Sequence, residues 1–361
     1  MLNIAQLLRF ATQLKASDVH LSAGEPPIMR VHGELHRLDA PALTPEEAHR
    51  LIFDVMNDGQ RRVFQEKLEV DFAFALDETT RFRINAFVQS RGEGAVFRSI
   101  PSRIPAFDEL GLPPVLRTFC AHDRGLVLVT GPTGSGKSTT LAAMIDHINE
   151  TIGGHILTLE DPIEFVHKSK KALINQREVG TQTRSFDAAL RSALREDPDV
   201  ILVGELRDLE TVQLALTAAE TGHLVFATVH TASAPKTVER LIDVFPAAQQ
   251  SQVRTMLSES LVGVVTQTLL PKLSGGRVAA LEILCATPAV RNLIREGKTH
   301  QIPSAMQVGG RVGMQTQEAA LADLVVRNLI SIESARSAMP DFELRSATAV
   351  PTRGVAQGAT R

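Results

Sequence analysis

The sequence predicts an α/β protein of two domains, on three observations. Residues 1 to about 100 carry short strand-like runs around two helical stretches, the pattern of a small α+β domain. Prolines 101, 105, 113 and 114 then crowd a connector over 101–121. From about residue 122 near-continuous apolar runs alternate with helical segments, which is how a parallel sheet covered on both faces reads. A chain of 361 residues is also too long for one ordinary core.

In the first domain, Ile4, Leu7, Leu8, Ala11 and Leu14 recur at helical spacing, and Arg9 interrupts their apolar run. That is an amphipathic first helix rather than the core of a signal peptide. Asp18–Leu21 and Ile28–Leu38 read as strands, the second folded into a hairpin near Gly33. Thr44 can cap a helix with Pro45 in its first turn, and Glu47 completes a capping box. Three further strands are expected at Asp71–Leu76, Arg81–Ser90 and Gly94–Ile100. The second domain, expected over 122–345, has buried-type strands in GLVLVT, HILTL, DVILVG and HLVFATV. Residues 346–361 lack periodicity and read as a disordered tail.

Composition narrows the class. A hydrophobic content of 43% with 22% charged residues is that of a soluble globular protein. A net charge of -3 argues against a nucleic-acid partner, which calls for a basic surplus. Cys120 and Cys285 are far apart, with neither disulfide nor zinc spacing, and suit a reducing compartment. No apolar stretch reaches the roughly 18 residues of a membrane span, so a cytoplasmic protein is expected.

The chemistry is concentrated in the second domain. Gly131-Pro132-Thr133-Gly134-Ser135-Gly136-Lys137-Ser138 matches G-x-x-x-x-G-K-[ST], preceded by an apolar strand and followed by the helix that Thr139 enters. Glycines let backbone N–H groups converge on phosphates, and Lys137 brings positive charge to the β and γ oxygens. The Ser138 hydroxyl serves Mg²⁺, and the helix start adds its dipole. ATP with Mg²⁺ is therefore the expected ligand. Glu205 ends the strand DVILVG at the sheet edge where nucleotides bind, and a carboxylate there can orient water for attack on the γ-phosphate. Glu160, Asp161 and Glu164 follow another strand in the same way and suit Mg²⁺, with Glu160 and Glu205 the expected metal carboxylates. His223 and His230 bracket a strand whose ends lie roughly 23 Å apart when extended, so both cannot touch one phosphate. His230, at the carboxyl end, is the better phosphate sensor, and His223 is as readily a structural residue.

These motifs together resemble the secretion-ATPase superfamily of P-loop NTPases and, within it, the branch that retracts type IV pili. The matching stretches are ASDVHLSAGEPP and RFRINAFVQSRGEGAVFRSIP in the first domain. In the second they are VTGPTGSGKSTTLAAM, LTLEDPIEFVH, ALREDPDVILVGELRDLET and TAAETGHLVFATVHT. By this resemblance Lys137 and Ser138 belong to a Walker A motif, Glu160, Asp161 and Glu164 to an Asp box, Glu205 to Walker B, and His223 and His230 to a His box. The resemblance implies a PAS-like N-terminal domain, a RecA-like ATPase domain with C-terminal helices, and a homo-hexameric ring. It also implies an inner-membrane pilus platform protein as partner, with an assembly ATPase or accessory retraction ATPase alongside, at the cytoplasmic side of the inner membrane. First-domain arginines come near nucleotide in such rings. Arg81 and Arg83 share one face of their strand and Arg98 follows on the next, so each is a candidate to stabilise transferring phosphate, supplied between subunits.

The retraction branch carries a motif usually written AIRNLIRE, and this chain has Ala289-Val290-Arg291-Asn292-Leu293-Ile294-Arg295-Glu296. Thr287, Pro288 and Gly297 delimit it as a short helix. It lies downstream of every phosphate motif, so Arg291, Asn292, Leu293, Ile294 and Arg295 are expected to couple to a partner. An accessory retraction ATPase or a secretion or assembly ATPase is the nearest alternative, but assembly relatives carry a four-cysteine zinc site that two cysteines cannot make. A non-hydrolysing nucleotide-binding ring is opposed by Glu205 and the Asp-box acids, and a DNA translocase by the acidic balance.

Overall fold

The computed structural model describes residues 2–31, 33–77, 80–100 and 103–344. Pro101 and the expected tail at 346–361 lie outside them. The chain divides into two compact units, Met1–Leu126 with Ser138–Thr228, and Val127–Lys137 with Val229–Arg361.

The first unit begins with helix α1 (Ile4–Gln13), strands β1 (Asp18–Ser22), β2 (Ile28–Val31) and β3 (Glu34–Arg37), and helices α2 (Pro45–Phe53) and α3 (Asp58–Lys67). Strands β4 (Glu69–Ala75), β5 (Arg81–Gln89) and β6 (Gly92–Ile100) complete a six-stranded antiparallel sheet of order β3-β2-β1-β6-β5-β4. The capping box read at Thr44 and Glu47 is present, with Thr44 Oγ1 accepting from the Glu47 amide at 3.2 Å. Helix α3 was not foreseen, although Asn57 and Gln60 form a second capping box and Leu68 ends it at positive φ.

Period-2 alternation gives this sheet two faces. Val19, Leu21, Met29, Phe72, Phe82, Ile84, Ala86 and Phe97 point one way and form a core with Leu7, Leu8, Leu51, Ile52 and Phe64 of the helices. The other face carries charge in a row across the strands, because the register sets Arg30 opposite Asp18, Asp18 opposite Arg98, and Arg98 opposite Arg83. Two arginines facing each other repel. Each is neutralised by an aspartate: Arg98 Nε lies 2.9 Å from Asp18, and Arg83 makes a fork on Asp71 at 2.5–3.1 Å.

Helix α4 (Val115–Cys120) forms within the expected connector, and Leu116 and Phe119 are buried. Strand β7 (Gly125–Thr130) leads through the glycine loop to α5 (Lys137–Thr151), followed by β8 (Gly154–Glu160), β9 (Ala172–Glu178), α6 (Phe186–Ala193), β10 (Val200–Val203), α7 (Leu209–Glu220) and β11 (Leu224–Val229). Within the first unit β11, β10, β8 and β9 pair in that order and are parallel throughout. The edge strand β9 was missed in the sequence because its residues alternate with polar ones, ALINQRE, instead of forming an apolar run.

The second unit continues with α8 (Ala234–Asp243), α9 (Ala247–Ser260), β12 (Leu261–Pro271) and β13 (Arg277–Cys285), the last two a long antiparallel hairpin. These two strands are antiparallel, where parallel pairing was expected. Helices α10 (Pro288–Arg295), α11 (Ile302–Val308), α12 (Gln317–Val326) and α13 (Ile332–Ala338) follow. Leu321, Leu324, Ile330 and Phe342 pack against Leu270 and Ala280 of the hairpin.

Helix α10 starts on Thr287, whose side chain accepts the Val290 amide, and stops at Gly297 with φ +69. Val290 and Ile294 are fully buried, Leu293 is half-buried, and Asn292 and Arg295 are exposed. Arg291 is held by the fold: its Nη1 donates to the carbonyls of Ser258 and Glu259 at 2.6 and 2.7 Å, where α9 ends. A cation there satisfies carbonyls that the helix itself leaves open. Arg291→Ala should therefore lower stability by about 1–3 kcal/mol, while Arg295→Ala on the exposed side changes it by less than about 0.5 kcal/mol. Thermal unfolding of the nucleotide-free proteins measures both, and equal effects would mean that the α9 carbonyls do not depend on Arg291.

Candidate active site

The phosphate loop lies in the second unit. Gly131, Gly134 and Gly136 adopt φ of +137, +77 and +89, a region that residues with a Cβ rarely enter. Space excludes a side chain as well: a Cβ on Gly131 would run into the Gln267 carbonyl oxygen, and one on Gly136 would lie 2.7 Å from Gln267 Nε2. Pro132, Thr133 and Gly134 are exposed at the turn. Ser135 and Lys137 are buried. Lys137 Nζ donates to the carbonyls of Gly131 and Pro132 at 3.0 Å each, so the ammonium is gathered against the loop.

Two features of the loop fit a phosphate. The Ser135 hydroxyl oxygen is buried and has no hydrogen-bond partner among the described residues. The loop also ends at the first turn of α5, where helix amides and dipole favour an anion. Ser138 and Thr139, half-buried in that turn, belong to the first unit.

The carboxylates converge on one edge of the first unit's parallel strands. Leu159 pairs with Val203, so Glu160 and Glu205 leave neighbouring strands at the same end. The Gly204 amide donates to Leu159 O at 2.7 Å, and the Thr228 hydroxyl donates to Gly204 O, which fixes where Glu205 emerges. Glu205 is paired with Arg207 at 2.7 Å. This pair, and then the nearby charge of Asp161, hold the Arg207 guanidinium above its ordinary value.

Glu160 is held by its own strand and by the edge strand β9. It accepts from Thr158 Oγ1 at 2.6 Å and Gln176 Nε2 at 3.2 Å. Burial pushes its carboxyl up to about 7, against those hydrogen bonds, which pull it down. A carboxyl held near neutrality gives up its proton readily to a cation that arrives beside it. Asp161 and Glu164 are exposed. Their loop is held by β9: Gln176 accepts the His167 amide and donates to Phe165 O, and Glu178 accepts the Ile163 amide at 3.0 Å. Gln176 and Glu178 carried no signal in the sequence.

Mg²⁺ keeps several waters and takes one or two protein oxygens beside the phosphates. The hydroxyl of Ser138 and the carboxylate of Glu205 are hard donors of that kind. Among the described residues no three His, Cys, Asp or Glu side chains form a self-sufficient metal cage.

The histidines separate as their strand positions require. His223, at the amino end of β11, has Nδ1 3.0 Å from Ala218 O near the end of α7, a structural bond. His230 is exposed at the carboxyl end. The turn after it is set by Glu282, whose carboxylate accepts the Ala234 amide at the start of α8 at 2.6 Å. Of the three arginines, Arg81 is half-buried and its Nε has no partner among the described residues. Arg83 lies within electrostatic reach of its own chain's Asp box. The bond to Asp71, and then the charges of Glu164 and Asp161, hold its guanidinium above the ordinary value. Arg98 is largely exposed, with Asp18 as its partner.

Residues 2–334 match the family described as type II/IV secretion system protein. The chain belongs to that family. The type IV pilus retraction ATPase PilT of Pseudomonas aeruginosa is 60% identical over 335 residues, 93% of this chain and 97% of the relative. A twitching motility protein of Neisseria gonorrhoeae is 56% identical, covering 92% of this chain and 91% of its own length. Among solved structures, the pilus retraction motor PilT with bound ADP superposes with a TM-score of 0.89 at 52% identity, covering 94% of this chain and 98% of the other. The mixed α/β architecture, an N-terminal domain followed by a RecA-like ATPase domain, is that of this secretion-ATPase family. Among the described residues no helix is long and apolar enough to cross a membrane.

Glu160 makes the site's enclosure measurable. Its carboxyl titrates at about 7 folded against 4.5 as a free side chain. Below the lower value both states are protonated and burial is not opposed. As pH rises from there towards 7 the unfolded chain releases its proton first, so folding loses stability across that window, by at most about 3 kcal/mol. Glu160→Gln should abolish this fall, leaving a melting temperature less sensitive to pH than that of the parent between pH 5 and 8. Parallel curves for the two proteins would show that Glu160 is not enclosed.

Proposed function

We propose that this chain is the ATP-hydrolysing motor of type IV pilus retraction, acting as a homo-hexamer at the cytoplasmic side of the inner membrane. The observation that carries the reading is the joint presence of an intact phosphate loop, a strand-end Glu205 beside exposed Asp-box acids, and the α10 sequence.

In this reading the loop amides and Lys137 hold the β- and γ-phosphates of ATP. Ser138 and Glu205 hold Mg²⁺, which neutralises phosphate charge when bound. Glu205 positions the attacking water, and the Asp161 and Glu164 carboxylates stand exposed in the Asp box. Phosphoryl transfer spreads charge over the γ-oxygens, and positioning with electrostatic stabilisation supplies most of the rate. Arg83 and Arg98 are both neutralised by aspartates, so either one stabilises a phosphate by exchanging a carboxylate for it. Arg83, near its own Asp box, is the stronger candidate within one chain, and Arg98 for a neighbour in the ring. Exposed Asn292 and Arg295 of α10 face a partner, for which an inner-membrane pilus platform protein is the natural choice. An assembly ATPase or accessory retraction ATPase would share that platform.

Glu205→Gln removes the carboxylate charge and keeps the shape. The variant should bind ADP and assemble as the parent does, while turnover falls roughly 10²–10⁴-fold. Cells carrying it should keep their pili and lose twitching. Parental turnover would move the metal and water roles to Asp161 and Glu164, and bald cells would make the chain an assembly motor.

A further inference from the structure

A loop that binds phosphate through its main chain must solve a problem its own residues leave open. Every peptide presents an N–H and a carbonyl oxygen in opposite directions, because the unit is planar and trans. An N–H aimed at an anion is useful only while the carbonyl of the same peptide is kept from turning inward. Glycines, which the loop needs, make such a turn easy.

The structure assigns this restraint to Gln267: we propose that it is a positioning residue of the phosphate loop, locking the Ser135–Gly136 peptide so that the Gly136 N–H serves the nucleotide phosphates. The inference rests on the reading of the loop as an ATP site. Gln267 lies on β12, is only 3% exposed, and is 132 residues from Ser135 in sequence. Its Nε2 donates to the Ser135 carbonyl at 2.6 Å, which turns the Gly136 N–H away from β12. Its main-chain carbonyl oxygen fills the space a Cβ on Gly131 would need, and its side-chain Nε2 fills that of a Cβ on Gly136. One residue therefore borders both ends of the loop. The hydroxyls of Thr130 and Thr266 are 2.8 Å apart and fully buried, which fixes the register of β12 against the strand that enters the loop. Gln267 is no catalytic residue in this account, since it acts on phosphate through the peptide it holds.

Gln267→Leu and Gln267→Met keep the volume and remove the donor, leaving the Ser135 carbonyl buried and free to turn. In the full-length protein each should weaken ADP binding about 10-fold, the loss of one buried hydrogen bond and the disorder of the donor it aims. The KM for ATP should rise in step while kcat stays within about threefold of the parent, the signature of lost uniform binding. The nucleotide-free melting temperature should fall by the lost hydrogen bond, and the further rise that ADP produces should shrink as well. If the leucine variant does not assemble, the methionine variant, which is flexible enough to fit, decides. Parental ADP affinity in an assembled variant overturns the proposal. So does a fall in nucleotide-free stability with the ADP-induced rise intact, which would make Gln267 a packing residue. An unsubstituted protein that fails to bind ADP would instead refute the ATP site itself.

Discussion

Backbone amides can be aimed at a phosphate when the carbonyl oxygens between them are held elsewhere, and in this chain Lys137 and Gln267 hold three such carbonyls of the phosphate loop. Glycine at 131, 134 and 136 permits the positive φ angles. The same absence of side chains lets β12 approach until Gln267 touches the loop's peptides. Lys137 takes the carbonyls of Gly131 and Pro132. An incoming nucleotide then has to supply anionic oxygens for the ammonium and for the amides. The cost of ordering a glycine-rich turn is met by the fold before any ligand arrives, which is the physical sense of preorganisation.

The carboxylates follow a second logic. Parallel strands deliver their last residues to one edge, and the register of β8 with β10 makes Glu160 and Glu205 neighbours there. Two acids so placed would repel if both were ionised. The chain divides their environments: Glu160 is enclosed by Thr158 and Gln176 and drawn towards neutrality, while Glu205 takes Arg207 as counter-ion. The same economy of charge appears across the first sheet, where Asp18 and Asp71 let Arg98 and Arg83 face each other.

What the sequence disclosed and what it withheld divide by range. The loop, the strand-end acids, the Thr44 and Thr287 caps and the alternation of Arg81 and Arg83 with Phe82 and Ile84 are local patterns, and each is present in the structure. The Asn57–Gln60 capping box and the apolar run from Leu261 before the Gly275–Gly276 turn were equally local and went unread. The partners of the functional residues were not legible. Gln267 meets Ser135 across 132 residues, Gln176 reaches Glu160 from a polar edge strand, and Arg291 reads as an exposed helix arginine until α9 is seen to end beneath it. Such contacts depend on register and packing, which no periodicity encodes.

Arg291 also gives the second unit a mechanical continuity. Helix α9 runs directly into β12, so the carbonyls that Arg291 holds stand a few residues before the strand that carries Gln267 and its loop. A shift of the loop on nucleotide exchange and a shift of α10 against a partner would then both act on the continuous α9–β12 segment. In the proposed function, ATP chemistry and mechanical output sit on separate residues of this chain, with α10 on the output side. The direct measurement pairs ATP turnover of the purified protein with pilus retraction in cells, for an Asn292→Ala, Arg295→Ala double variant that spares the buried face of the helix. The account predicts turnover within a few-fold of the parent and pili that extend but no longer withdraw. Loss of turnover in an assembled variant, or retraction at the parental rate, would contradict it.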